Sequence, residues 1–355
     1  MTRIYLDHAA TTPLRPEAAD AMREGFAAWA NPSSPHAEGR AARAALEDAR
    51  ARIKTALGWD GEVIFTSGAS EALAIGLRRA RAERRLASAV EHEAVFRAAP
   101  DAEIVPLAKD EDGRVQLDGD ALARALAQPG RAVVAVQSVN SETGTVLIPH
   151  EGTPALAQVR EAGGLFLADC SQSAGRVPLP DADMIVVSAH KLGGPIGIGA
   201  LLVRDFAMLE PSGGHERGYR QGTENLPGAL GFAAALEAGD IGSWPTSYPD
   251  RYDFKDLLAR NGTVLRPGVQ SSHVIAVASE RISAAAMVIK LDAMGFAVSA
   301  GSACSSGTLK PSRALAAFGI DPQVAARTVR VSLGWTTTVS ELEAFADAWA
   351  EAVRA

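Results

Sequence analysis

The chain has 355 residues, a formal net charge of -7 and 47% hydrophobic content, a composition with enough apolar matter for two cored domains. The acidic balance argues against a nucleic-acid surface and for small-molecule or protein partners. No apolar run approaches the roughly 18 residues of a membrane span, and two distant cysteines, Cys170 and Cys304, do not make a disulfide framework. The opening residues carry no apolar leader, so a cytoplasmic protein is expected.

In chain order, residues 3–6 read as a short strand and 7–13 as a polar turn, and Asn31-Pro32-Ser33-Ser34-Pro35-His36 is a loop. Residues 38–57 have apolar positions at helical spacing, and Gly58 suits a C-terminal cap. A strand at 62–65 is followed by Thr66-Ser67-Gly68-Ala69-Ser70-Glu71 and an Ala/Leu-rich helix. Strand, small-residue turn and helix together offer backbone N–H groups to a phosphate, although Ser67 or Ser70 serves equally well as a plain N-cap. His92 follows another short strand, a position that a structural histidine fills as readily as a catalytic one. Residues 131–139 form a central strand ending in Asn140-Ser141-Glu142-Thr143-Gly144, and a helix at 153–162 leads to the strand 165–169.

That strand ends in Asp169, with Ser171-Gln172-Ser173 after it. The next apolar run stops at Ser188-Ala189-His190-Lys191 and enters a loop containing Gly193, Gly194, Gly197 and Gly199. A lysine delivered there is partly desolvated, which makes its amine a nucleophile. An aspartate at one strand end and a lysine at the next suit a pyridoxal phosphate site, with Asp169 on the pyridinium proton and Lys191 in the Schiff base. All these residues fall at C-terminal strand ends of an alternating β/α stretch, where ligands bind in mostly parallel sheets.

After a glycine-rich polar loop at 213–225 come a helix at 226–238, a linker-like stretch at 239–271 with one short helix near 254–259, and a second unit. There the pattern gives a strand at 273–278, a helix at 283–294, a strand at 296–299, the Cys304 loop, a strand at 328–333 and a final helix from about 339. The expected domains are 12–240, large and cofactor-binding, and 1–11 with 241–355, smaller and carrying Cys304. Cys170 reads as a small buried hydrophobe. Cys304, among small residues in Gly301-Ser302-Ala303-Cys304-Ser305-Ser306, has nothing bulky nearby to bury it.

The order of Tyr-Leu-Asp-His-Ala-Ala-Thr-Thr-Pro, Thr-Ser-Gly-Ala-Ser-Glu, Glu-His-Glu-Ala-Val, Asp…Gln, Ser-Ala-His-Lys, Gly-Gly-His-Glu-Arg-Gly-Tyr-Arg-Gln-Gly-Thr and Gly-Ser-Ala-Cys-Ser-Ser resembles the cysteine desulfurases (NifS/IscS-like). These are class V aminotransferases of α/β pyridoxal phosphate fold-type I, with a smaller α+β domain. The resemblance covers nearly the whole chain. It implies that Lys191 carries pyridoxal 5′-phosphate, that His92 stacks on its ring and moves protons, and that Asp169 and Gln172 contact the ring. Ala69, Ser70, Ser188, His190 and, across a homodimer interface, the neighbour's Thr223 hold the phosphate. Arg330 takes the substrate carboxylate, as a bidentate guanidinium does well, with Asn31 and Asn140 near the substrate, and Cys304 becomes the persulfide.

The chain departs from the resemblance at Ser141, where many relatives have a second Asn on the cofactor's 3′-oxygen. Ser141 itself, Asn140 or a water can supply that contact. The 239–271 segment and the C-terminus are shorter than usual. L-Cysteine is the expected substrate, and a sulfur-acceptor protein, which the sequence does not single out, receives the sulfur for iron–sulfur assembly or another relay. Selenocysteine stays open as a substrate. Another class V aminotransferase or lyase that does not use Cys304, or a non-catalytic homologue, are the competing readings.

Overall fold

The structure, a computed structural model, describes residues 3–301 and 312–354. Cys304 lies outside the described residues. Seven strands form the main sheet: β1 (Glu62–Thr66), β2 (Arg84–Ser88), β3 (Glu103–Val105), β4 (Ala132–Gln137), β5 (Leu165–Asp169), β6 (Met184–Ser188) and β7 (Gly199–Val203), in spatial order β1-β7-β6-β5-β4-β2-β3. β7 runs antiparallel to both of its neighbours, and the other pairings are parallel. Every residue of β4, β5 and β6 is buried, as expected for strands covered by helices on both faces.

The cover on one side comes from α1 (Pro16–Ala27), α2 (Ala37–Leu57) and, after the sheet is complete, the helix Leu226–Glu237. α2 starts at His36, whose Nδ1 accepts from Gly39 N (3.2 Å), and stops at Gly58, which takes φ 62. On the opposite face α3 (Ala69–Arg78) packs with α4 (Glu93–Ala98) in a second apolar cluster that includes Leu73, Leu77, Val95 and Leu167. The sheet thus points the C-terminal ends of its parallel strands toward one edge, where the turns after β1, β2, β4, β5 and β6 gather.

A second, four-stranded sheet is wholly antiparallel, with β8 (Thr263–Val264), β9 (Val274–Ala278), β10 (Ser299–Ala300) and β11 (Thr328–Ser332) in the order β8-β9-β11-β10. Phe254, Phe296, Phe345 and Trp349 fill its core, where Phe345 meets the other two phenyl rings edge-on at 6.0 and 5.4 Å.

Two expectations change here. The short helix near 254–259 is the last part of a 12-residue helix, Tyr248–Ala259, opened by Ser247 and Asp250 in a capping box with Pro249 in its first turn. The phrase Ser-x-x-Asp was the available signal. The strand at 296–299 is two separate pairings. Phe296–Ala297 lies parallel to Ile4–Tyr5, whereas Ser299–Ala300 joins β11. Among the described residues, no helix is long and apolar enough to cross a membrane.

Candidate active site

A cavity of about 690 Å³ opens at the gathered strand ends, and Ala69, Ser70, His92, Ser141, Asp169, Gln172, Ser188, His190, Lys191 and Arg330 all line it. The strand ends of the main sheet supply most of the wall. β5 delivers Asp169, one of whose oxygens, Oδ1, accepts from Ser171 N (2.9 Å) and Ser171 Oγ (2.5 Å). β6 delivers Ser188, and the 3₁₀ turn after it delivers His190 and Lys191. Burial, with the Lys191 charge second, pushes His190 down to about 4.

His92 is the N-cap of α4, and its Nδ1 accepts from Ala94 N at 3.2 Å. A neutral ring in that role carries its proton on Nε2. Burial first, then the Lys191 charge, lowers the His92 pKa, while Asp169 opposes the shift. The shift favours the neutral ring, in which Nδ1 is taken by Ala94 N and Nε2–H is the remaining donor.

The turn between β1 and α3 faces the same space. The first-turn N–H groups of α3 have no intrahelical acceptor by geometry, and Gly68, Ala69 and Ser70 line the cavity. Gly68 has φ 150, and a Cβ on Gly199 would lie 2.9 Å from Gly68 Cα. Only glycine lets β7 and this turn approach so closely. Part of the turn is already occupied, because Ser67 N donates to Glu71 Oε2 at 2.5 Å.

The second sheet contributes Arg330, from the middle of β11. It is 2% exposed, its Nη2 donates to Asp7 Oδ1 (2.8 Å) and its Nη1 to Ser141 O (3.1 Å). Ser299 Oγ donates to the other oxygen of Asp7 at 2.7 Å. Asp7 and Ser299 both line the cavity, and sequence reasoning did not single out either. The signal for Asp7 was present in the Leu-Asp-His phrase, but its partner lies 323 positions away.

Other expected contacts fall elsewhere. Asn140 is 1% exposed and absent from the cavity wall; its Oδ1 accepts from Glu142 N (3.0 Å), Thr143 N (2.9 Å) and Thr143 Oγ1 (3.0 Å), while Nδ2 donates to Val90 O (3.3 Å). The structure gives this side chain to the turn after β4 and turns Ser141 to the cavity. Asn31, exposed, accepts from Ser33 N (2.8 Å) and is not on the wall, and Thr223 is exposed and also outside it.

The residues present fit pyridoxal phosphate: an amine, an opposed carboxylate and an imidazole around a cavity, with helix N-terminal amides and hydroxyls at one end. Two buried polar atoms on the wall, Gln172 Oε1 and Arg330 Nε, have no hydrogen-bond partner among the described residues, as expected where a bound polar molecule satisfies them.

Comparison with known proteins agrees with this chemistry. The aminotransferase class-V family matches residues 4–345. A protein of Cereibacter sphaeroides named cysteine desulfurase is 37% identical over 370 residues, spanning 97% of this chain and 94% of that one. An X-ray structure of a NifS-like protein from Rickettsia africae superposes with a TM-score of 0.84 at 25% identity, covering 99% of this chain and all of the other. A structure of SspA in complex with cysteine gives 0.77 at 26% identity, covering 95% and 100%. The chain belongs to the class-V aminotransferase family and, within it, to the cysteine desulfurases.

Proposed function

We propose that the chain converts L-cysteine to L-alanine and passes the substrate sulfur to Cys304 as a persulfide, with pyridoxal 5′-phosphate as cofactor. The observation that carries this reading is the meeting of Lys191, Asp169, His92 and Arg330 around one cavity. The cysteine held by SspA in its complex supports the choice of substrate. When bound, the cofactor supplies an electron sink for charge that develops at the substrate Cα.

The chain's own residues have separable roles. Lys191 anchors the cofactor and afterwards takes the Cα proton. Asp169, its Oδ1 fixed by Ser171, keeps a proton on the ring nitrogen. Gln172 would contact the phenolic side of the ring, and Ser141 lines the cavity where many relatives have Asn. Ala69, Ser70, Ser188 and His190 would hold the phosphate, with Thr223 of a second copy completing the site in a homodimer. Arg330 binds the substrate carboxylate through a guanidinium that Asp7 also engages. His92 moves protons to and from sulfur and the product.

The Cys304 thiolate attacks the substrate sulfur. An S–S bond forms, the C–S bond breaks, and its electron pair stays on carbon, which takes a proton and leaves as alanine. No external oxidant is needed for that step. An acceptor protein then removes the sulfur. The division into a large cofactor unit (12–240) and a smaller unit (1–11 with 241–355), and a cytoplasmic setting, belong to the same reading.

The test is turnover of purified holo-protein with L-cysteine and a reductant. Equal release of sulfide and alanine by the native chain is expected, with neither released by Cys304→Ala although that variant still binds the cofactor. Native-level turnover by Cys304→Ala would instead favour another class V reaction.

A further inference from the structure

Directly behind the cavity lies a guanidinium that the roles above leave unused. Arg176 is 4% exposed. Its Nη1 donates to the carbonyl of Gln172 at 3.0 Å and its Nη2 to the carbonyl of Lys191. The Trp244 ring lies beside it, with its centroid 5.9 Å from the guanidinium carbon. Among the described residues no carboxylate pairs with it. The charged groups around it are also basic. Arg15 donates to Ala238 O (3.1 Å) and Gly239 O (3.0 Å), and Arg251 donates to Ser272 Oγ (3.2 Å) and sits over the same Trp244 ring.

A buried charge without a counter-charge is costly for folding, and an apolar side chain of similar volume is commonly as good or better. Arg176 is not needed to satisfy the two carbonyls. The Lys191 carbonyl also accepts from Thr12 Oγ1 (3.0 Å), and the Gln172 carbonyl is hydrogen-bonded to His273 Nε2 (2.8 Å). What Arg176 adds is a rigid link between them, because its planar fork holds both at once.

We propose that Arg176 is a positioning residue for this site: by joining the carbonyls of Lys191 and Gln172 it fixes the lysine relative to the ring-edge glutamine. It touches neither substrate nor cofactor and acts through the backbone of two residues that do. The proposal rests on the function given above for Lys191 and Gln172.

The experiment compares native holo-protein with Arg176→Met and Arg176→Lys. For Arg176→Met the expected result is an unchanged or raised Tm, kcat reduced about tenfold or more with KM held within about twofold, and a shifted pH midpoint of the lysine-bound cofactor's visible absorbance, because the lysine is no longer held in place. Arg176→Lys keeps the charge but not the two-armed fork, so kcat stays low and the midpoint stays displaced. Unchanged kcat and midpoint in Arg176→Met, or a loss of activity that only follows a fall in Tm, would overturn the proposal. If the methionine variant does not fold, native kcat in Arg176→Lys overturns it equally. Should the native protein fail to turn over L-cysteine, the proposed function falls, while the absorbance midpoint and the rate of cofactor release still decide the role of Arg176.

Discussion

At the seven-stranded sheet, the cavity is supplied by successive strand ends: His92 after β2, Ser141 after β4, Asp169 closing β5 and Lys191 after β6. At the four-stranded sheet, Arg330 comes from the middle of β11 and is held by Asp7 from the far end of the chain. The first region fixes its groups by burial in a parallel sheet and by contacts with neighbours close in sequence, such as Ser171 on Asp169 and Ala94 on His92. The second holds its key charge against an internal carboxylate, so a substrate carboxylate bound there as proposed would compete with, or share, a partner that is already present. One half of the site is therefore set by position, the other by exchange of ion pairs.

Replacing the positional half is expected to cost most. Lys191→Ala should lower alanine release at least about 10³-fold, with loss of the lysine-bound visible absorbance. A residual rate near native would remove the lysine from the mechanism. In the exchange half, Arg330→Lys keeps a charge but loses the fork, and KM for L-cysteine should rise about tenfold or more with a smaller change in kcat.

Asp7→Asn sharpens the comparison. Removing the competing carboxylate should lower KM about threefold with kcat little changed. A raised KM would mean that Asp7 chiefly aligns the guanidinium. Ser141→Asn, which restores the residue of many relatives on the positional side, should alter kcat/KM by no more than about threefold.

Stability gives a further contrast through His8, which is fully buried beside β11. Burial first, and the Arg176 charge second, push its pKa down to about 3. The unfolded chain therefore binds this proton before the folded one does. The contribution to stability is complete above about pH 6.5 and is lost as pH falls toward 3, by roughly 1.4 kcal/mol per pH unit within that window. Denaturant midpoints between pH 7 and 4 should fall less steeply in His8→Asn. The slope should not vanish, because His190, lowered to about 4, has the same sign.

The sequence made the positional half legible because each residue sits beside its own strand and turn. Asp169 and Lys191 could be read from apolar runs that end abruptly, and the main sheet from alternating periods. The exchange half was harder. The Asp7–Arg330 pair spans 323 positions, and no local pattern encodes it. Asn140 and Ser141 are adjacent and each can donate a hydrogen bond, so only the folded turn shows which one enters the cavity. The helix Tyr248–Ala259 was underestimated because its aromatic and acidic residues obscure a regular apolar stripe, although its capping box was readable.

The same long-range pair has a consequence for biosynthesis. Asp7 and the strand Ile4–Tyr5 leave the ribosome first, yet their partners, Arg330 and Phe296–Ala297, are made near the end. Synthesis proceeds from the N-terminus at about 5–20 residues per second, so the seven strands of the main sheet can pair while the substrate arginine is still unmade. The half proposed to anchor the cofactor is thus translated ahead of the half proposed to admit the amino acid, so a nascent chain can form the strand ends around Lys191 before Arg330 exists.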